Sequence, residues 1–195
     1  MLKKDSRKIV CGDTYVDTSG NNEYVFDAVK NGAVEVISKQ KYDDKTIVVE
    51  DPKEYYNNYI YNKYYDSIKD LKLIGVTGTN GKTTISYIIY QLLNKMNVRC
   101  AYIGTIGFYK CGIVKELNNT TPDIDELYEY LYECSCDNIE YVVMEVSSHS
   151  LVQDRVYGLK YDVAIFTNLT EDHLDYHKTM DDYKKAKQKL FGMLR

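Results

Sequence analysis

The residues with the clearest chemistry lie at 77–84, where the sequence reads Thr-Gly-Thr-Asn-Gly-Lys-Thr-Thr. An apolar run at 71–76 precedes this segment, and a helical spacing of apolar residues follows it at 85–93. Strand, glycine-rich turn and helix in this order are the setting of a phosphate-binding loop. The glycines allow successive N–H groups to turn inward, and the helix N-terminus adds partial positive charge. The predicted nucleotide-binding residues are Gly78, Thr79, Asn80, Gly81, Lys82, Thr83 and Thr84.

Two side chains of this loop have expected roles. Lys82 would reach the β- and γ-phosphates as a point charge, and the Thr83 hydroxyl would contact Mg²⁺. The segment departs from the common pattern, because Val76 replaces its first glycine while Gly75 and Gly78 flank that position. The alternative to a phosphate-binding loop is an ordinary glycine turn that a lysine follows by chance.

Polar residues follow two other apolar strand patterns. Glu145 ends the run at 141–146, and a carboxylate at a strand tip beside a phosphate-binding loop suits Mg²⁺, which prefers oxygen ligands. His173 lies in a polar loop after the run at 163–166, a plausible position in an active site. An ordinary strand-end acid and a structural histidine are the alternatives.

Two cations are ambiguous from the residues alone. Lys187 belongs to a lysine-rich run at 184–189, which is typical of a solvated helix face. Arg155 follows Ser147 at short range and could hold a carboxylate or phosphate through its planar fork. Without further context, a surface arginine is the simpler interpretation.

The order of predicted elements indicates an α/β fold. Strand and helix patterns alternate, which favours mostly parallel sheets with ligands at the carboxyl ends of the strands. We predict a small N-terminal α/β domain at 1–69, whose last helix begins at Pro52 with Asp51 as its cap. A P-loop-type, mostly parallel sheet flanked by helices is predicted at 70–195, lacking its later strands.

Composition narrows the class of protein. The chain of 195 residues has a formal charge of −4 with acidic residues spread throughout, so we expect no nucleic-acid partner. No apolar run approaches membrane-spanning length, and the basic start lacks the apolar core of a secretion signal. The five cysteines form no CxxC pair, and their odd number argues against a complete set of disulfides, so a reducing cytosol is the expected compartment.

Several segments together resemble one known family. They are Thr77-Gly78-Thr79-Asn80-Gly81-Lys82-Thr83-Thr84, Gly104-Thr105-Ile106-Gly107, Asn119-Thr120-Thr121-Pro122, Met144-Glu145-Val146-Ser147-Ser148-His149, Phe166-Thr167-Asn168-Leu169, Asp172-His173-Leu174-Asp175-Tyr176-His177, Tyr183, Ala186-Lys187 and Leu190-Phe191. In this order they resemble the Mur ligases, which build the peptide of bacterial cell-wall precursors. Asp5-Ser6-Arg7 with Gly12-Asp13 is similar to the N-terminal domain of the third and fourth ligases of that pathway. The Glu-Val-Ser-Ser-His form at 145–149 points to the third.

The resemblance implies roles for individual residues. The loop at 78–84 would bind ATP, and Thr83, Glu145 and His173 would bind Mg²⁺. Lys187 matches the family's carbamylated lysine, in which a carbamate supplies oxygen ligands to the metal. Lys82, Lys187 and His173 are therefore the implied catalytic residues. Positions that would hold the UDP-sugar-peptide are Ser6, Asn119, Thr120, Thr121, Ser147, Gln153 and Arg155.

The implied reaction joins an amino acid to UDP-MurNAc-L-Ala-D-Glu through an acyl phosphate, with ATP converted to ADP. Two features depart from the family. The segment at 17–23 is shorter than the corresponding family loop, and the later strands and C-terminal domain are absent from the sequence. A truncated, non-catalytic nucleotide- or UDP-sugar-binding remnant is therefore the alternative, and a second polypeptide could supply the rest. A phosphate-loop GTPase is disfavoured because no Asn-Lys-x-Asp motif occurs.

Overall fold

In the computed structural model the chain forms two compact units, Met1–Lys63 and Tyr64–Arg195. The structure describes all 195 residues, apart from the side chain of Ile113. The division falls inside helix α2 (Pro52–Ile68), whereas the sequence placed it after residue 69. The last turn of α2 belongs with the second unit because the ring of Tyr64 packs 6.2 Å from that of Tyr128.

The first unit contains a parallel sheet of short strands. They are β1 (Leu2–Lys3), β2 (Thr14–Val16), β3 (Glu35–Ser38) and β4 (Thr46–Val48), side by side in that order. Helix α1 (Asn22–Lys30) begins where the Asn21 side chain accepts a hydrogen bond from the Glu23 amide. Apolar residues between the sheet and α1, including Tyr15, Val25 and Val36, form the core of this unit.

The second unit is built on a sheet of six strands. These are β5 (Lys72–Thr77), β6 (Cys100–Gly104), β7 (Gly107–Lys110), β8 (Ile113–Lys115), β9 (Tyr141–Glu145) and β10 (Val163–Phe166). Their spatial order is β10-β5-β9-β6-β7-β8; the first four are parallel, and β7 and β8 run antiparallel to their neighbours. The predicted α/β class, with mostly parallel strands flanked by helices, is confirmed. The hairpin of β7 and β8 was not predicted.

The helices of this unit connect the strands. They are α3 (Lys82–Lys95), α4 (Ile124–Cys136), α5 (Ser148–Val152), α6 (Leu174–His177) and α7 (Met180–Gln188), followed by a 3-10 turn at Lys189–Met193. Helix α4 begins at Ile124, although a proline at position 122 is typical of a first helical turn and would favour an earlier start. The reason is that the Thr121 hydroxyl donates to the Glu145 carbonyl oxygen at 2.9 Å and accepts from the Ser147 amide at 3.1 Å.

The parallel order brings polar segments to one edge of the sheet. The glycine loop follows β5, Glu145 ends β9, Thr105 follows β6, and Thr167 follows β10. Ligands of open α/β sheets bind at this carboxyl edge. Among the described helices, none is both long and apolar enough to span a bilayer.

Candidate functional site

The backbone of the loop requires glycine at Gly78. Its φ is +150°, and a Cβ built there would lie 1.9 Å from Thr167 Oγ1, too close for any side chain. Gly81 adopts a left-handed φ of +82° where the chain enters α3, with open space around it. Gly78 is therefore required both by conformation and by the close approach of the residues that follow β10, whereas Gly81 is required by conformation alone.

The loop is held against the segment that follows β10. The carbonyl oxygen of Asn168 accepts from the Thr79 amide at 2.9 Å, and its side-chain oxygen accepts from the Asn80 amide at 3.0 Å. Thr167 donates its hydroxyl to the Asn80 carbonyl at 2.6 Å. Two amides expected to face a phosphate thus face Asn168 instead. The first hydrogen bond of α3 runs from the Ile85 amide to the Gly81 carbonyl, so the amides of the first helical turn have no partner within the helix.

Two lysines meet at one carbonyl oxygen. Lys82 Nζ donates to the carbonyl oxygens of Gly78 and Thr79, each at 2.9 Å, and Lys187 Nζ donates to the same Gly78 oxygen at 2.9 Å. Lys187 is 2 % exposed and lies over the ring of Tyr183, 4.2 Å from its centroid. Interpreting its run as a solvated face is thus wrong for Lys187, while the neighbouring Lys184 is exposed.

Burial depresses the basicity of both amines. It lowers the pKa of Lys82, and it lowers the pKa of Lys187 to about 8, where the positive charge of Lys82 acts in the same direction. A substantial fraction of Lys187 is therefore neutral near pH 8, whereas an ordinary lysine is almost entirely protonated there.

Glu145 is fully buried at the tip of β9 and accepts hydrogen bonds on both carboxylate oxygens. Its Oε2 accepts from the Thr83 hydroxyl at 3.0 Å and the Thr105 hydroxyl at 3.2 Å. Its Oε1 accepts from the Thr105 amide at 3.0 Å and from the Tyr102 hydroxyl. The structure therefore brings together Thr83 and Glu145, two of the predicted metal ligands.

This pair fits a magnesium ion that also binds phosphate. A hydroxyl and a carboxylate oxygen are hard ligands, and Mg²⁺ is commonly bound through one or two carboxylates together with substrate phosphates. Among the described residues, no cluster of three His, Cys, Asp or Glu side chains could hold a metal by itself. The oxygens of Thr83 and Glu145 beside the phosphate loop thus match a metal shared with a nucleotide.

His173, a third expected ligand, makes contacts away from Thr83 and Glu145. It is exposed, has a left-handed φ of 53°, and its ring lies 5.0 Å from that of His149 and 6.1 Å from that of Tyr183. Its Nε2 lies 3.6 Å from Asp172 Oδ2. In the part of the chain that the structure describes, no recorded contact joins His173 to Glu145.

A cluster of rings around His173 was not predicted. His149 and His177 lie 5.5 Å apart, and His177 Nε2 is hydrogen-bonded to the Ser148 hydroxyl at 2.9 Å. Burial, followed by the charge of neighbouring histidines, lowers the pKa of both His149 and His177. The one-turn spacing of His173 and His177 was the available signal for this cluster. Tyr183 connects it to the loop through a 3.2 Å hydrogen bond between its hydroxyl and that of Thr79.

Several residues expected to hold the UDP-sugar-peptide are hydrogen-bonded to one another, and Thr121 among them is hydrogen-bonded to the Glu145 carbonyl oxygen. Arg155 donates to the Thr121 carbonyl oxygen at 2.9 Å and to the Gln153 side-chain oxygen at 2.8 Å, and its Nε lies 3.2 Å from Asp123 Oδ1. The buried Thr121 hydroxyl is 3.4 Å from that of Ser147. These contacts define Arg155 as an ordered side chain and not a free surface arginine.

The remaining expected positions are less closely connected. The Thr120 hydroxyl is hydrogen-bonded to that of Thr105 at 3.0 Å, which links it to Glu145. Asn119 is exposed next to Thr120. Ser6 lies in the first unit, where it is buried and its carbonyl oxygen accepts from the Asn31 side chain at 2.9 Å.

The site also includes four residues that were not predicted to belong to it. Tyr102 and Thr105 bind the Glu145 carboxylate, and Thr167 and Asn168 support the loop. The position of Thr105, Thr167 and Asn168 just after strands was a signal for the carboxyl edge. Tyr102 lies inside a strand, so only the tertiary structure shows its contact.

Comparisons with known proteins agree with this geometry. The family described as the Mur ligase middle domain matches residues 76–195, which is more than half of the chain. UDP-N-acetylmuramoyl-L-alanyl-D-glutamate--2,6-diaminopimelate ligase of Clostridium perfringens is 42 % identical over 97 % of this chain and 41 % of its own length. The ligase of the same name from Listeria monocytogenes is 40 % identical over 99 % of this chain and 40 % of its own length. The chain thus spans about two-fifths of these relatives.

Solved structures of Mur ligases also resemble this chain. A structure of UDP-N-acetylmuramoyl-L-alanyl-D-glutamate--2,6-diaminopimelate ligase superposes with a TM-score of 0.81 and 32 % identity, covering 100 % of this chain and 41 % of that one. The MurF ligase of Thermotoga maritima in complex with ADP has a TM-score of 0.60 at 22 % identity, covering 100 % and 43 %, and supports the fold. From the family match and these likenesses, the chain belongs to the Mur ligase family.

Proposed function

We propose that this chain binds ATP, Mg²⁺ and UDP-MurNAc-L-Ala-D-Glu, and takes part in adding an amino acid to that dipeptide through an acyl phosphate. The observation that carries the proposal is the contact of 3.0 Å between the Thr83 hydroxyl and the buried Glu145 carboxylate, beside Lys82 and Lys187. The names of the relatives support 2,6-diaminopimelate as the amino acid. A reducing cytosol is the proposed compartment, and all five cysteines in the described structure are free.

The proposed reaction has two steps. In the first, the D-Glu carboxylate forms a bond to the γ-phosphorus of ATP while the bond to ADP breaks. Lys82 offsets negative charge on the β- and γ-phosphates, and Mg²⁺, when bound at Thr83 and Glu145, supplies further positive charge. In the second step, the amine nitrogen bonds to the acyl carbon, phosphate leaves, and the amine loses a proton.

Several other side chains position the substrates in this proposal. Thr121, Ser147 and Arg155 form one hydrogen-bonded group beside Glu145, which suits an anionic sugar-peptide brought next to the γ-phosphate. Positioning of this kind is a major source of rate enhancement in phosphoryl transfer. We give His173 a catalytic role only through the resemblance, since its contacts are with the ring cluster.

Lys187 is proposed to carry a carbamate. A neutral amine adds CO₂ with formation of an N–C bond and loss of a proton, and the product has oxygens suited to Mg²⁺. The pKa of about 8 and the burial of Lys187 support this modification. Supplying ¹³C-labelled bicarbonate should give a carbamate carbon signal by NMR that Lys187→Met abolishes and Lys184→Met retains. A signal that survives Lys187→Met would contradict the assignment.

The activity is tested by following ADP release from the 195-residue chain with ATP, Mg²⁺, UDP-MurNAc-L-Ala-D-Glu and 2,6-diaminopimelate. Release that requires both the dipeptide and the amino acid would support the ligase. Nucleotide binding without turnover would instead support the alternative, a chain that binds nucleotide or UDP-sugar and completes no reaction alone. A second polypeptide that restores turnover would then identify the partner.

A matched pair of lysine variants tests the nucleotide site. Lys82→Met should weaken ATP binding at least about tenfold, because a charged donor to phosphate is worth more than 1.4 kcal/mol. Lys95→Met, at the far end of the same helix, should leave it unchanged. Equal affinity of wild type and Lys82→Met in titration calorimetry would argue against the proposed loop function.

A further inference from the structure

Tyr102 contacts Glu145 from inside the sheet. It lies on β6, beside β9, and its register partner on that strand is Val143. Tyr102 and Gly104 share a face of the strand, since side chains alternate. A Cβ built on Gly104 would lie 2.2 Å from the Tyr102 hydroxyl oxygen and 2.3 Å from Glu145 Oε1. The missing side chain of Gly104 thus leaves the space in which the two groups meet.

The ring of Tyr102 has no freedom to leave this position. It is 0 % exposed, and its centroid lies 5.6 Å from that of Tyr87, 6.2 Å from that of Tyr90 and 5.8 Å from that of Tyr109. Aromatic pairs prefer edge-to-face contacts, and the close packing of a protein interior restricts the movement of a fully buried ring. The packing of the Tyr102 ring therefore fixes the position of its hydroxyl next to Glu145.

The contact with Tyr102 is made by Oε1 of Glu145, and the contact with Thr83 by Oε2. Oε1 accepts from Tyr102 and from the backbone amide of Thr105, both part of the sheet scaffold. Oε2 accepts from the hydroxyl of Thr83, which belongs to the phosphate-binding loop, at 3.0 Å and more distantly from the hydroxyl of Thr105 at 3.2 Å. A carboxylate with one oxygen held by the scaffold presents the other in a single direction.

We propose that Tyr102 is a positioning residue: its hydroxyl holds Glu145 Oε1, so that Oε2 alone faces the Thr83 hydroxyl and a divalent cation bound with nucleotide. This inference rests on the proposed function, since it concerns the same magnesium site. Groups that orient a metal ligand typically change metal affinity by 10- to 100-fold when removed. The phenol of Tyr102 acts in this way without touching the cation or the substrate.

The test compares Tyr102→Phe with wild type in the 195-residue chain. The probe is a non-hydrolysable ATP analogue, whose binding is titrated in EDTA and then at increasing Mg²⁺. We expect equal affinity in EDTA, while the Mg²⁺ concentration for half-maximal tightening rises about tenfold or more in the variant. Tyr109→Phe, which changes another ring of the same group, is the matched control and should behave as wild type.

Each other outcome overturns the inference. An unchanged Mg²⁺ midpoint in Tyr102→Phe would refute it and leave the proposed function intact. Equal weakening in EDTA and in Mg²⁺ would show that the ring only supports the fold. A wild-type chain that ignores Mg²⁺ would remove the metal site and the inference together. In a Glu145→Gln background, Tyr102→Phe should have no further effect on Mg²⁺; an undiminished effect would place its action elsewhere.

Discussion

At the scale of single residues, the site concentrates buried charge. Two ammonium groups share the Gly78 carbonyl oxygen, and a fully buried carboxylate lies on the adjoining strand tip. Burial lowers the pKa of both lysines, and the charge of Lys82 lowers that of Lys187 further, so holding both ammonium groups here is unfavourable. A phosphate group bound at the loop would offset this unfavourable free energy, because its negative charge lies close to both ammonium groups.

Because of Lys187, the free energy of unfolding should change with pH in the alkaline range. Its pKa is about 8 when folded and 10.5 when free, so the unfolded chain binds more protons between these values and the unfolding free energy rises with pH across them. Relative to Lys187→Met, wild type should gain up to about 3 kcal/mol from about pH 8 to about pH 10.5. Urea unfolding in CO₂-free buffer measures this gain. Lys184→Met should track wild type, and a constant difference from Lys187→Met would contradict the expectation.

Gly78 should tolerate no side chain. A methyl group there meets Thr167 Oγ1 at 1.9 Å and sits on a backbone with positive φ, so Gly78→Ala should cost about 1–3 kcal/mol or more and abolish tight ATP binding. Gly192→Ala is the control, because its Cβ would lie in open space. Thermal unfolding and calorimetric ATP titration measure both effects. Retention of wild-type affinity in Gly78→Ala would show that the loop can dock differently.

At the scale of elements, the parallel strands β10, β5, β9 and β6 explain why distant segments meet. Their carboxyl ends share one edge, so Thr167, the glycine loop, Glu145 and Thr105 become neighbours. The helix that follows the loop contributes its N-terminal partial charge at the same edge. The expected site is therefore built from segments far apart in sequence.

Arg155 connects the start of α4 to the segment after α5. Its planar fork binds the Thr121 carbonyl and the Gln153 side chain together, and a lysine cannot reproduce both contacts. We expect Arg155→Lys to weaken binding of UDP-MurNAc-L-Ala-D-Glu about tenfold and leave ATP binding unchanged. Arg99→Lys, at the amino end of β6, is the control. Titration calorimetry with each ligand measures both affinities. Weaker binding of both ligands would indicate a general structural defect.

At the scale of the whole molecule, the chain consists of two units with their own sheets. The residues expected to bind ATP all belong to the second, while Ser6 belongs to the first. A ligand that binds the folded state alone stabilises it by about 2.7 kcal/mol at 100 times its dissociation constant. ATP should therefore stabilise the second unit more than the first.

Hydrogen exchange should show this inequality. With saturating ATP and Mg²⁺, amides at 78–84 and 167–170 should exchange more slowly, since they form the loop and its support. Amides of β2 and β3 in the first unit should change little. Lys82→Met should remove the protection, and an equal slowing throughout both units would contradict a nucleotide site confined to the second.

Local sequence patterns alone predicted α2 from Pro52, strand β10 at 163–166 and the loop at 78–84, because proline, short apolar runs and glycine spacing act on neighbouring residues. Only the tertiary structure decided that Lys187 is buried, that three histidines gather near it, and that Tyr102 reaches Glu145 across Gly104. These contacts depend on packing between strands and helices far apart in the chain. No local pattern encodes them, so their physical cause is the fold and not the segment.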